Sequence, residues 1–141
     1  MMLRVTFRGM AKLEGVGVVV TDLERAVKFY RVLGVPFPDG AEKSEHGHAD
    51  VTLEGGMRFL VDTEETMRSF DPGWKRGTGS PPASLAFGCE SPSAVDEVFA
   101  KAISAGGQVH KEPWDAFWGQ RYAQLRDPDG NAIDLYAALP K

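Results

Sequence analysis

The stretch Gly15–Val35, GVGVVVTDLERAVKFYRVLGV, reads as a strand running straight into a helix. Val16, Val18 and Val20 alternate with Gly17 and Val19, the period of a β-strand. Asp22 is a good helix N-cap, because its side-chain oxygen can take an orphan amide of the first turn. Leu23, Ala26, Val27, Tyr30 and Leu33 then recur at steps of three and four, an apolar stripe on one helix face. Gly34 suits the left-handed position that ends a helix. Pro36 and Pro38 prevent its continuation.

The same plan is written again in SLAFGCESPSAVDEVFAKAISAGGQV, Ser84–Val109. Leu85, Phe87 and Cys89 alternate along a strand. Ser91 or Ser93 caps a helix, Pro92 suits its first turn, and Val95, Val98, Phe99, Ala102 and Ile103 mark its buried face. Gly106 and Gly107 stop it. Three strand-like pieces follow each helix. In the first half they are Phe37–Lys43, His48–Leu53 and Met57–Asp62. In the second half they are Gln108–Glu112, Arg121–Arg126 and Ala132–Tyr136, the last two joined by the turn DPDGN. Each half therefore reads βαβββ.

The fold class expected is α+β, with two tandem βαβββ modules whose mixed sheets curl into a cup. The first module is expected at 13–63, a linker at 64–82 and the second module at 83–139, within one domain of 1–141. The linker should hold a short helix at Thr63–Phe70 followed by a Gly/Pro/Ser-rich run. Each module alone is marginal in size, so the two should share one core.

Composition excludes several function classes. The chain is 43% hydrophobic and carries a formal charge of −4 with no basic block, so a nucleic-acid partner is not expected. Arg4, Arg8 and Lys12 are spread out and read as solvated. No stretch approaches the roughly 20 apolar residues of a membrane span, and the opening MMLRVTFRGMAKLEG lacks the apolar run of a signal peptide. Cys89 is the single cysteine and reads as a small core residue, so no internal disulfide can form and a cytoplasmic setting is expected. GTGSPP lacks the lysine and the strand-helix context of a phosphate cradle. No nucleophile-elbow motif supports a Ser-His-Asp triad.

The residues that invite a binding role are aromatic. Trp114, Phe117, Trp118 and Tyr122 crowd around Pro113 and Gly119, which should place Trp114 to Trp118 on a rim instead of inside a strand. Tyr122 alternates with Gln124 and Arg126 and should line the cup wall. Asp134 alternates with Ile133 and Leu135, so it should look into the cup, accepting from a ligand, from Arg121 or Arg58, or from water. His46 and His48 share a face if their segment is extended, and Asp50 has the parity of His48. Trp74 is either a lid or an anchor between modules.

The duplicated unit, with VVVTDLERAVKFYRVLGV in the first copy and LRDPDGNAIDLY in the last hairpin, resembles the vicinal oxygen chelate superfamily. That group includes glyoxalase I, extradiol dioxygenases, fosfomycin-resistance enzymes and bleomycin-resistance proteins. The resemblance runs from about Leu13 to Leu139. It implies a ligand-holding cup and a homodimer, with modules pairing within one chain or swapped across two. It implies metal ligands, in the enzymes, at the places of Gly15, Leu60, Ser84 and Asp134. Only Asp134 there is a strong ligand, so neither a metal nor another cofactor is expected. HADVTLEGGMRFLVDTEETMRSFDPGW and KEPWDAFWGQRYAQLRDPDGNAIDLYAALP are similar to the drug-binding branch, the mitomycin- and bleomycin-binding resistance proteins. That likeness implies that His48 and Trp118 stack on the two faces of a flat ring system. The expected function is metal-free sequestration of a planar aromatic compound. The alternatives are a metal-dependent lyase, isomerase or dioxygenase, a metal-free enzyme with Asp134 as base, and a protein with a vestigial cup.

Overall fold

In the computed structural model, which describes residue 9 and residues 11–141, both helix starts are capped by the side chains that open them. Asp22 accepts from the Arg25 amide at 3.0 Å and starts α1, Leu23–Val32. Ser91 accepts from the Ala94 amide at 3.1 Å and starts α3, Pro92–Ser104. Thr63 caps the shorter α2, Glu64–Phe70, in the same way. Arg4 and Arg8 fall outside the described residues, and Lys12 is exposed. Among the described residues no helix is long and apolar enough to cross a membrane.

Among the described residues seven strands form two mixed sheets. The first holds β1 (Gly15–Val20), β2 (His48–Thr52) and β3 (Arg58–Thr63) in the order β1-β3-β2, with β1 parallel and β2 antiparallel to β3. The second holds β4 (Ser84–Gly88), β5 (Gln108–Ala116), β6 (Gln120–Arg126) and β7 (Ala132–Ala138) in the order β4-β7-β6-β5. There β4 runs parallel to β7 and the other pairs are antiparallel. The architecture is α+β with two βαβββ-like modules.

The strand expected at Phe37–Lys43 does not form. Pro36 and Pro38 have no amide hydrogen to give a ladder. The Phe37 and Pro38 carbonyls are taken by the Arg31 guanidinium, at 3.4 and 2.8 Å. The segment closes in a 3-10 turn at Ala41–Lys43. Phe37 is buried nonetheless, edge-on to Phe59 with ring centroids 6.0 Å apart. Its apolar character comes from plugging the core, not from strand alternation.

Helices α1 and α3 each cover one face of their own sheet, and the covered faces merge into one core. Val18, Val20, Phe59 and Val61 meet Ala26, Val27 and Tyr30 in the first module. Ala123, Leu125, Ile133 and Leu135 meet Val95, Phe99 and Ala102 in the second. Between modules, Tyr30 on α1 donates to Asp127 at 2.6 Å, and both are fully buried. Thr21 and Arg25 both donate to the Asp129 carboxylate, at 2.7 and 3.1 Å. The turn DPDGN thus closes a hairpin and also ties the second module to the first.

Gly107 lies where the second module packs tightly against α1. A Cβ there would lie 2.9 Å from both the Ala102 carbonyl oxygen and the Phe29 ring. Neither can yield easily, because one is helix backbone and the other is a fully buried ring of α1. Gly107→Ala is therefore expected to cost about 1–3 kcal/mol through overpacking. Urea unfolding checks this, and an unchanged midpoint would show that the seam has room.

Candidate functional site

The uncovered faces of the two sheets carry the candidate residues, in two groups. On the first sheet Phe59, Val61 and Ala49 point into the core, so alternation turns Arg58, Leu60, Asp62, His48 and Asp50 outward. His48 and Asp62 are register partners. His48 Nδ1 lies 2.7 Å from Asp62, and His48 Nε2 lies 2.7 Å from Asp50. Arg58 donates to the same Asp50 oxygen at 2.8 Å. The result is a chain of alternating sign, Asp62–His48–Asp50–Arg58.

Partial burial disfavours the charged imidazole, but the hydrogen bonds it donates to Asp50 and Asp62 outweigh it and raise the His48 pKa. The hydrogen bond from His48 is also the main reason that the Asp50 pKa is lowered. The sign for stability follows from linkage. The contribution of His48 is fully present below the ordinary imidazole pKa of about 6.5. It is lost as pH rises through the raised value. Melting temperature against pH, compared between wild type and His48→Gln, should show the difference vanish on the alkaline side.

His46 does not join this group. Gly47 adopts φ +62° and breaks the segment, so β2 begins at His48 and His46 stays exposed on the turn. The Gly47 position admits no side chain, since a Cβ would collide with the hydroxyls of Thr63 and Thr66. Thr66 also donates to the His46 carbonyl at 2.6 Å. The N-terminus of α2 therefore fixes where β2 starts and which histidine faces outward from the sheet.

On the second sheet the aromatic residues form one cluster. Trp114 and Tyr122 are register partners with ring centroids 5.5 Å apart, edge to face. Trp118 lies 5.3 Å from Tyr122 and 6.0 Å from Trp114, and Phe117 lies 5.1 Å from Trp118. Tyr136 stacks beside Tyr122 at 6.4 Å. Phe117 is 97% exposed and Trp118 is 48% exposed. Trp118 is held by its indole N–H, which donates to Gln120 at 2.8 Å. Trp114 differs from expectation, because it belongs to β5 and not to a rim. Pro113 is tolerated there since β5 is an edge strand with two register irregularities. Only Phe117 to Gly119 form the turn itself. Lys111 sits 3.8 Å over the Trp114 ring.

Asp134 is nearly buried beneath these rings. It accepts from the Tyr122 hydroxyl at 2.7 Å and from Ser84 at 3.4 Å. Gln124 reaches its second oxygen only at 3.5 Å, which leaves that oxygen with acceptor capacity. Burial and the Asp134 carboxylate push the Tyr122 phenol up to about 12, so it stays a donor. The arginines expected as partners lie elsewhere. Arg121 is on the helix side, bound to Asp96 and Asp115, and Arg58 is on Asp50.

A cavity of about 480 Å³ lies along the outer edge of β1 and the start of β4, with Ser84, a donor to Asp134, in its wall. Trp74, Arg76 and the following linker close it, and none of the seven candidate residues lines it. Trp74 acts here as an anchor. Arg68 and Arg76 pack on its ring at 5.5 and 5.6 Å, and Arg76 also donates to the carbonyls of Val19 and Asp129. Cys89 is half-buried at the end of β4, and burial pushes its thiol pKa up, away from a nucleophile.

The donor set does not fit a divalent ion. Of the four positions the resemblance implies, Gly15 and Leu60 have no donor side chain. A Cβ at Gly15 would meet the Leu60 side chain at 3.0 Å, so that corner is filled by apolar atoms. Ser84 and Asp134 remain, and two such ligands do not hold a metal. Among the described residues no group of three His, Cys, Asp or Glu side chains is arranged to do so.

Sequence reading placed Tyr136 on the cup face with Asp134, as found, and missed Asp62 and Asp127. Asp62 had a signal, since it shares strand parity with Arg58.

Comparison with known proteins matches the sequence profile of the Glyoxalase/Bleomycin resistance protein/Dioxygenase superfamily to residues 12–135. The uncharacterized protein YraH of Bacillus subtilis (strain 168) is 28% identical over 133 residues, covering 91% of this chain and 99% of YraH. A glyoxalase/bleomycin resistance protein/dioxygenase family enzyme from Burkholderia phytofirmans PsJN superposes with a TM-score of 0.76 at 21% identity, over 92% of this chain and all of that one. A glyoxalase/bleomycin resistance protein from Albidiferax ferrireducens T118 gives 0.64 at 28% identity, over 88% and 97% of the two chains.

Proposed function

This chain belongs to the glyoxalase/bleomycin resistance protein/dioxygenase superfamily, and on that premise we propose that it binds a planar aromatic small molecule, such as an antibiotic, and sequesters it without altering it. The observation that carries this reading is the exposed ring cluster. Four aromatic side chains touch one another on an uncovered sheet face, and the two on the turn remain open to solvent. Exposed apolar surface of that kind is costly to maintain unless something covers it.

A flat ring laid on Trp118 and Tyr122 gains stacking of about 0.5–1.5 kcal/mol beyond the area it buries. The Asp134 oxygen that Gln124 reaches only at 3.5 Å would accept one hydrogen bond from the ligand edge. Among the described residues no hydrogen bond or ring contact joins His48 and Asp50 to the aromatic cluster. The proposed site is therefore completed in a homodimer, swapped in the sense that the first sheet of one copy faces the second sheet of its partner. His48 would then close over the face opposite Trp118, the arrangement that the likeness to mitomycin-binding resistance proteins implies. The lone cysteine suits a cytoplasmic setting.

Titration of the protein with a panel of planar aromatic natural products, read by tryptophan fluorescence, tests the reading. Saturable quenching with the compound recovered unchanged is expected. Conversion of the bound compound to a product would overturn sequestration.

A further inference from the structure

His48 has both ring nitrogens committed. A neutral imidazole has one N–H and can donate to only one acceptor. Here each nitrogen lies 2.7 Å from a different carboxylate oxygen. Two short contacts to two acceptors are satisfied together only when both nitrogens carry hydrogen. The clamp is itself braced, since Arg58 holds Asp50 from the other side and Asp62 is the register partner of His48. Of the other titratable groups among the described residues, Asp134 faces the ligand from the second sheet, where Tyr122 and Ser84 donate to it. Glu64, at the start of α2, is engaged by Arg76 and Arg68. His46, on the preceding turn, is exposed.

We infer that His48 is a fixed imidazolium, with both edges clamped by Asp50 and Asp62, and that it offers the ligand a cationic ring face, so the site selects an electron-rich planar ring, neutral or anionic, over a cationic one. This rests on the reading above that His48 faces the bound ring. The clamp engages the two ring nitrogens in the ring plane, while 36% of the side chain stays accessible. A cation held against an aromatic face attracts its electron density. A cationic ring would meet like charge there.

Two measurements test this. The first is an NMR titration of the His48 ring C–H signals in the free protein, with Asp62→Asn alongside. His48 is expected to titrate above the ordinary value of about 6.5, and Asp62→Asn to bring it down. Titration at or below the ordinary value would overturn the inference while leaving aromatic binding untouched. The second compares two three-ring probes of opposite charge, an anthracenecarboxylate and proflavine, by tryptophan quenching. Near pH 6 the carboxylate should bind more tightly by about fivefold or more. That preference should shrink in His48→Gln and at alkaline pH. Preference for proflavine, or a ratio that His48→Gln leaves unchanged, would overturn the inference. If neither probe binds, the inference and the aromatic-binding reading both fail.

Discussion

Asp127→Ala is expected to remove about 3–5 kcal/mol of stability, more than the overpacking at Gly107. Asp127 is fully buried and satisfies four donors. Its Oδ1 accepts from the amides of Asp129 and Asn131, at 2.8 and 2.9 Å. Its Oδ2 accepts from the Tyr30 hydroxyl at 2.6 Å and the Asn131 side chain at 2.7 Å. Alanine would take the acceptor from the fully buried Tyr30 hydroxyl and from three part-buried donors of Asp129 and Asn131. Burial and the neighbouring Asp127 carboxylate raise the Tyr30 pKa far above the ordinary phenol value, so that hydroxyl remains a donor and cannot adapt by ionising. Total stability of a domain is only about 5–15 kcal/mol, so the variant should sit near the folding threshold. Urea unfolding measures it, with Asp127→Asn as the milder partner because it keeps one acceptor and the volume. A loss under about 1 kcal/mol would mean that the two modules do not depend on this turn.

Trp118→Ala is expected to weaken ligand binding by about 10- to 100-fold with little change in stability. The ring touches Trp114, Phe117 and Tyr122 but is only half-buried, so the fold gains little from it. A flat ligand would bury the exposed half, and alanine deletes the surface it rests on. Trp118→Phe should recover much of the affinity. Trp114→Ala cannot make the same point, since Trp114 lies within β5 and its loss disturbs the sheet. A calorimetric Kd for each variant checks the order, and equal affinities across the series would place the ligand elsewhere, the cavity beside Trp74 being the first place to look.

The two-module fold was legible because its signals are local. Alternation in Val16–Val20, the caps Asp22 and Ser91, and the helix stripes each depend on residues a few positions apart. The same alternation placed Tyr122, Asp134, His48 and Asp50 on uncovered faces. The misread segments were those where a distant residue decided the outcome. Phe37–Lys43 looks strand-like until Arg31 takes its carbonyls. Trp114 looks like a rim residue until Tyr122 pairs with it across the sheet. Asp127 looks like an ordinary turn residue, and only the approach of Tyr30, 97 positions away, makes it a hub. Pairing of His48 with Asp62 is likewise a matter of register, which the sequence does not state.

In the proposed site rings, and not an ion, hold the ligand. Tryptophan quenching by a bound planar aromatic compound, measured before and after exhaustive chelation, probes that distinction without intermediaries. One unchanged Kd is expected, together with loss of quenching in Trp118→Ala. Binding that disappears on chelation and returns with an added divalent cation would overturn the ring-held site.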